Sequence, residues 1–255
     1  MLADASNTTI NSVSLTTMGL VLTGPIAVGE AVAATSFVSV PGMDGSIDLT
    51  LRNAVNAAYL GRRNITLPLA TVGTKAQVAA AKAAIGSYNG KDVYVYDERF
   101  GGEWHGMLTL GAWTDRVESW GGQLSASVTA TVMAEPALLM PTETVVLDSS
   151  QSTITVKGNR PAWPHFELVP TRSSYAIGVT VSSGGVDIGT ARYVSSSHIA
   201  NNVDVDCYMG VVTSNGAILP TSLNEDFPIL VPGSVTITPI GCASGTMTYR
   251  PRVMV

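Results

Sequence analysis

The sequence predicts a mainly β protein: an N-terminal β-domain carrying one α-helix, followed by an all-β sandwich. Three observations predict it. Apolar and polar residues alternate with period two over most of the chain. One alanine-rich stretch breaks that rule at helical spacing. The second half is a run of short apolar segments punctuated by turn dipeptides. At 255 residues the chain is long enough for one large domain or two of ordinary size.

Taken in order, the sharpest early element is "FVSVPGMDGSIDLT", residues 37–50. Apolar residues run into Pro41-Gly42, then Asp44-Gly45, with Met43 between. The chain leaves as an alternation of Ile47, Leu49 and Leu51 against Ser46, Asp48, Thr50 and Arg52. This is a strand, tight turn, strand pattern, because glycine supplies the positive φ of such turns and proline presets the approach. "ITLPL" then places Ile65, Leu67 and Leu69 on one strand face. "TKAQVAAAKAAIGSYNG" opens with Thr74 and Gln77 in capping-box spacing and ends near Gly86 or Gly90. Val78, Ala81 and Ile85 share a face, so one helix is predicted over 75–86. "VYVY" sets Val93 and Val95 against Tyr94 and Tyr96. "LSASVTATV" alternates Leu124, Ala126, Val128, Ala130 and Val132 with Ser and Thr, as a half-buried strand does.

Pro136 and Pro141 in "VMAEPALLMP" frame a linker, which divides the chain into 1–140 and 141–255. Beyond it, strands are predicted at Ile154–Val156, Phe166–Leu168, Ile177–Val181, Val186–Ile188, Val203–Cys207, Val211–Val212, Val235–Ile237 and Met247–Tyr249. Gly184-Gly185, Asn215-Gly216 and Pro232-Gly233 mark turns between them. Eight or so short strands over about 110 residues point to a sandwich.

Only 13% of residues are charged and 45% are hydrophobic, and mean hydropathy is +0.27. That is more apolar than a monomeric core requires and predicts surface buried against other subunits. A net charge of −5, with basic residues dispersed and none before Arg52, argues against nucleic-acid binding. "MGLVLTGPIAVG" is too short to span a bilayer and contains Pro25, so no membrane insertion is expected. The early chain lacks the positive start of a secretory signal, and Asp4 stands where one would want a cation.

No catalytic constellation emerges: there is no G-x-S-x-G elbow, phosphate-binding loop, H-E-x-x-H or G-x-G-x-x-G. His105, His165 and His198 are scattered. The adjacent acids Asp97-Glu98 and Glu225-Asp226 read as neighbours on opposite strand faces or in solvated turns, not as an acid/base pair. Asn202, Asp204 and Asp206 share a strand face and could ligate calcium, but the stretch lacks the glycine and downstream Glu of an EF-hand loop. Cys207 continues the Val203, Val205 alternation and reads as a buried small hydrophobe. A pairing of Cys207 with Cys242 is left open. Trp104, Trp113 and Trp120 cluster beside glycines and read as core or interface packing, with a stacking platform as the alternative.

Across nearly its whole length the chain resembles the distal tail proteins of long, non-contractile-tailed bacteriophages. "VPGMDGSIDLT" matches the family's hairpin, with Pro41, Gly42, Asp44 and Gly45 as its signature. "GRRNITLPL", the helix, "KDVYVYDERFGGEWHGML" and "SVTATVMAEP" follow in the family's order. "GNRPAWPHFEL" and "VDVDCYMGVVTSNG…LNEDFPILVPGSVTIT…MTYRPR" resemble its C-terminal half. The resemblance implies a tail-tube-like, ring-forming domain over 1–140 and a galectin-like β-sandwich over 141–255. It also implies a virion protein assembled in the bacterial cytoplasm: a hexameric hub ring joining the tail tube protein to tail-tip, tail-associated and receptor-binding proteins. DNA would pass down the lumen unread, and no enzyme activity, cofactor or metal is implied. The alternative is a carbohydrate-binding module in the C-terminal half, for which Trp163, flanked by prolines, is the candidate sugar or partner contact. A wall-degrading hydrolase would need paired carboxylates that the sequence does not display.

Overall fold

The computed structural model describes residues 7–42, 44–52, 58–117, 123–220 and 226–255. Asp4, Met43, Trp120 and Glu225, singled out above, lie outside the described residues. The chain divides into two compact units, Met1–Leu138 and Leu139–Val255.

The first unit is built on a sheet of short N-terminal strands, β1 (Thr9–Ile10), β2 (Val13–Ser14), β3 (Val21–Leu22) and β4 (Ala27–Val28), and long later ones. A hairpin of β5 (Phe37–Ser39) and β6 (Ser46–Asp48) forms a separate ribbon. β7 (Arg63–Gly73) leads into α1 (Lys75–Gly86), followed by β8 (Asp92–Asp97), β9 (Gly102–Leu110), β10 (Thr114–Val117) and β11 (Leu124–Ala134). The strand order is β2-β1-β8-β9-β11-β7-β3, with β10 also on β11 and β4 also on β7. β7 and β11 pair over eleven consecutive residues, from Leu124 opposite Gly73 to Ala134 opposite Arg63. Period two does the rest. Ile65, Leu67 and Leu69 of β7, Val93 and Val95 of β8, and Val128, Ala130 and Val132 of β11 are all buried.

Pro68 sits inside this central strand without breaking it. Its carbonyl accepts from the Thr23 amide at 2.9 Å, on the side where β3 gives way to β4. The missing amide is therefore on the side where the β3 and β4 ladders are interrupted, not on the continuous β11 side, which is why the strand tolerates proline there. The helix forms as its sequence predicts. Thr74 Oγ1 accepts from the Gln77 amide at 3.3 Å and Gln77 Oε1 accepts from the Thr74 amide at 2.9 Å, a complete capping box. Val78, Ala81 and Ile85 are its buried residues.

β12 (Leu138–Leu139) falls at the division. The second unit comprises β13 (Glu143–Asp148), β14 (Ser152–Val156), β15 (His165–Pro170), β16 (Ala176–Ser183), β17 (Val186–Val194), β18 (Val203–Asp206), β19 (Val211–Ser214), β20 (Ala217–Leu219), β21 (Gly233–Ile240), β22 (Cys242–Tyr249) and β23 (Arg252–Val253). Its two main sheets are antiparallel, in the orders β13-β22-β15-β18-β19-β20 and β14-β21-β16-β17. Phe166, Leu168, Val203, Val205 and Met247 from the first meet Ile177, Val179, Val181, Val235 and Ile237 from the second in one buried cluster. Each such fully buried large apolar side chain contributes about 1.5–3 kcal/mol. The predicted sandwich is thus present. β13 and β20, edge strands that the sequence analysis did not mark, extend the first sheet.

Within the four-stranded sheet, β17 lies too close to Gly178 of β16 to admit a single methyl group. A Cβ on Gly178 would lie 2.2 Å from the Ala191 carbonyl oxygen across the β16–β17 pair. Gly178→Ala is expected to cost about 1–3 kcal/mol, read as a lowered urea midpoint. Residues 139–255 alone are expected to fold, with β-rich circular dichroism and one cooperative unfolding transition. A molten fragment would show that this unit depends on the rest of the chain.

Candidate functional site

The strand-turn-strand predicted within residues 37–50 is present as the β5–β6 hairpin. Phe37 pairs with Asp48, Val38 with Ile47 and Ser39 with Ser46, and Pro41, Gly42, Asp44 and Gly45 form the tip. Gly42 and Gly45 have φ of 84° and 91°, and a Cβ at either would meet nothing within 4 Å. Backbone torsion, not space, therefore calls for glycine there. Phe37, Val38, Val40, Ile47, Leu49 and Leu51 are all exposed, Leu51 to 77%. Among the described residues no third strand pairs with this ribbon. What stiffens it is local and polar. Asp48 Oδ1 accepts from the Thr50 amide at 2.9 Å and Asp48 Oδ2 from Arg52 Nη2 at 2.7 Å. The Ser36 amide donates to Thr50 Oγ1 at 3.1 Å. Hydrogen bonds from the Thr50 side chain and amide, then the Arg52 guanidinium, hold the Asp48 carboxyl down at about 2.

A second surface is the face of the first-unit sheet opposite its apolar residues. Alternation puts Asn64, Thr66, Pro68, Ala70 and Val72 of β7 there, with Ser127, Thr129, Thr131 and Met133 of β11. Met107 and Thr109 of β9 and Tyr94 of β8 continue it, and all are exposed or half-buried. Strands β7, β8, β9 and β11 put no Lys or Arg on this face. Arg116, opposite Ser125, and Arg62, bonded to the Met133 carbonyl, stand at its margins. Towards one end, Asn7, Thr9, Ser12, Tyr96, Glu98 and Glu103 line an open basin of about 510 Å³.

Groups with reactive potential are held in structural roles. Asp97 is buried rather than solvated, a departure from the sequence reading. Its carboxylate accepts from Arg99 Nε at 2.9 Å and from Arg99 Nη2 at 2.6 Å, so the buried group is not left without a partner. Glu98 points elsewhere and accepts from Asn7 Nδ2. His105 stacks on Tyr94 at 4.4 Å, with Nδ1 3.3 Å from Glu135. His198 lies against Tyr175, and His165 stands opposite Asp206 on the sandwich. Cys207 and Cys242 are buried free thiols. Burial pushes the Cys207 thiol up to about 12, with Asp206 adding to the rise, so it packs as a small hydrophobe. Trp104 is fully buried beneath the Arg63 guanidinium, 5.1 Å from its ring. Trp113 lies under Lys82. Among the described residues no three His, Cys, Asp or Glu side chains gather as a metal would require, and this covers Asp204 and Asp206.

Trp163 is 36% exposed. The Arg252 guanidinium lies 4.4 Å from its ring centroid, and Tyr208 meets it edge to face at 5.5 Å. Tyr208 and Met209 are exposed, on a turn fixed by Asp206 Oδ1, which accepts from both of their amides at 2.9 Å. Sequence reasoning found Trp163 but not these partners. The one available signal was the unusual apolar "CYMG" turn.

Residues 157–252 match the family described as "Siphovirus-type tail component, C-terminal domain". The resemblance to distal tail proteins read from the sequence is therefore borne out over those residues. The fold agrees along the whole length. The crystal structure of Dit (gp 19.1) from phage SPP1, described as a paradigm of hub adsorption apparatus in phages infecting Gram-positive bacteria, is similar at a TM-score of 0.69. It shares 14% identity over 96% of this chain and 98% of that one. A chain of the phage P2 baseplate, in its activated conformation with Ca, is similar at a TM-score of 0.50. It shares 10% identity over 93% of this chain and 92% of that one. No curated protein matches by sequence.

The Asp48 network supplies a pH prediction. A carboxyl held below its ordinary value stabilises the ribbon fully above about pH 4, and that contribution is lost as pH falls through about 2. NMR titration of Asp48 is expected to give a midpoint near 2. Thr50→Val is expected to raise it more than Arg52→Ala does, because the Thr50 bonds are the larger cause. An unshifted midpoint in Thr50→Val would assign the effect to Arg52 instead.

Proposed function

We propose that the chain is a non-enzymatic hub subunit of a siphophage tail. It closes with copies of itself into a ring, a hexamer, that joins the tail tube protein to tail-tip and receptor-binding proteins. The first unit is the tail-tube-like, ring-forming domain, and the second, a galectin-like sandwich, is carried by the ring. The observation that supports this best is the 37–50 ribbon. A two-stranded hairpin is marginally stable in water by itself, and this one exposes Phe37, Val38, Ile47 and Leu49 with no covering strand among the described residues. Such a ribbon gains its missing contacts when it lies against a neighbouring subunit. Repetition of one heterologous contact around a closed axis gives a ring.

The open face of the first-unit sheet is the lumen lining in this reading. Hydroxyl and methyl groups there offer DNA no array of cations and no counterion release, so DNA slides without being held.

Native mass spectrometry with negative-stain imaging tests the ring. The expected species is a closed hexamer, formed alone or with the tube protein. Ile47→Asp with Leu49→Asp is expected to deplete it while changing the stability of the chain by no more than about 0.5 kcal/mol, as for exposed sites. A strict monomer at high concentration, with and without tube protein, would sink the proposal. The purified protein is also expected to give no DNA gel shift at physiological salt. Micromolar affinity with a steep salt slope would contradict the lumen assignment.

A further inference from the structure

We infer that the outer face of the six-stranded sheet in the second unit is a binding site for an uncharged saccharide chain. Its residues are Trp163 and Tyr208, His165 and Asp206, and Glu167 and Asp204, in three successive cross-strand rows. β15 and β18 pair His165 with Asp206 and Glu167 with Asp204. Extending that antiparallel register two residues past the strand ends brings Trp163 opposite Tyr208. The Cys207 amide donates to the Pro164 carbonyl at 3.2 Å, as the extension requires, and the two rings meet at 76°. Successive rows on one strand face lie about 7 Å apart. The six residues therefore form a track with an aromatic corner at one end and a polar ladder leading away from it. On the next strand, β22, Thr248 lies beside His165 and Thr246 beside Glu167, which adds hydroxyls along one flank.

Three features fit a sugar. First, the aromatic corner is rigid: the buried Arg252 backs Trp163, and the Asp206 turn fixes Tyr208. A ring held in this way binds the apolar face of a pyranose at little entropic cost. Second, within the described residues the side chains of His165, Glu167 and Asp204 have no hydrogen-bond or ion-pair partner. Their acceptor capacity is open to a row of sugar O–H donors. Third, the charge decides the class. Glu167, Asp204 and Asp206 repel phosphorylated or sulfated glycans. Covering unpaired carboxylates with an apolar protein surface would cost their desolvation without replacement bonds. A neutral polyhydroxyl chain does neither. The inference does not rest on ring closure.

Isothermal titration of the full chain with glucose-, galactose- and N-acetylglucosamine-based tetrasaccharides tests it. At least one is expected to bind with a Kd on the order of 1 mM or tighter, with little dependence on salt. Tyr208→Ala is expected to weaken that binding roughly five- to tenfold through lost ring contact. Glu167→Gln is expected to weaken it about tenfold through a lost charge-assisted bond. Both positions are exposed, so the thermal midpoint should stay put. Absence of binding across the panel, or binding that ignores both substitutions, would overturn the proposal. So would a finding that Tyr208→Ala leaves no sugar phenotype but abolishes association with another tail protein, which would make the track a protein interface.

Discussion

Eleven consecutive backbone pairs between β7 and β11 set the frame of the first unit. β9 and β10 dock in succession along β11, β3 and β4 along β7, and α1 follows directly from the end of β7. Because side chains alternate, a slip of one residue in this ladder would move Ile65, Leu67, Leu69, Val128, Ala130 and Val132 into water and bury threonines instead. The apolar core and the hydroxyl-rich open face are therefore one decision, made once. The buried Arg63 depends on the same register. It ends the ladder with Nε on the Gly29 carbonyl at 2.7 Å and Nη1 on the Pro136 carbonyl at 3.2 Å, which ties the segment after β4 and the one after β11 to the sheet.

The second unit solves the same problem with two sheets rather than a sheet and a helix. Its main buried cluster is built of apolar side chains with two thiols and one tyrosine, and most of its polar residues lie on the outer faces. That division of labour places the acidic and aromatic track on one sheet without disturbing the packing beneath it. The first unit also keeps a run of apolar side chains exposed, on the ribbon.

How much of this was legible in the sequence follows from how local each cause is. The helix at 75–86, its capping box and its three buried residues were readable because Thr74, Gln77, Val78, Ala81 and Ile85 interact within a few turns. The hairpin tip was readable because Gly42 and Gly45 answer to their own torsions. The strands β1 to β4 were not, since two-residue strands carry no period and exist only because β7 and β8 hold them. Burial of Asp97 escaped for a related reason: its partner Arg99 lies two residues on, but burial is decided by the surrounding fold. Trp163 could be named from its prolines, while its contacts with Tyr208 and Arg252 depend on strand register and chain return, which no local pattern encodes.

Pro68 has a consequence beyond tolerating its place in the sheet. A chain made largely of strands risks joining its neighbours along any continuous free edge. Here the outer edge of the longest ladder is interrupted at its middle. Two-residue strands cover it on either side, and an imino nitrogen that cannot donate stands between them. An extended segment from another copy finds no unbroken row of donors and acceptors to zip along. That edge is thereby a poor template for fibrillar growth.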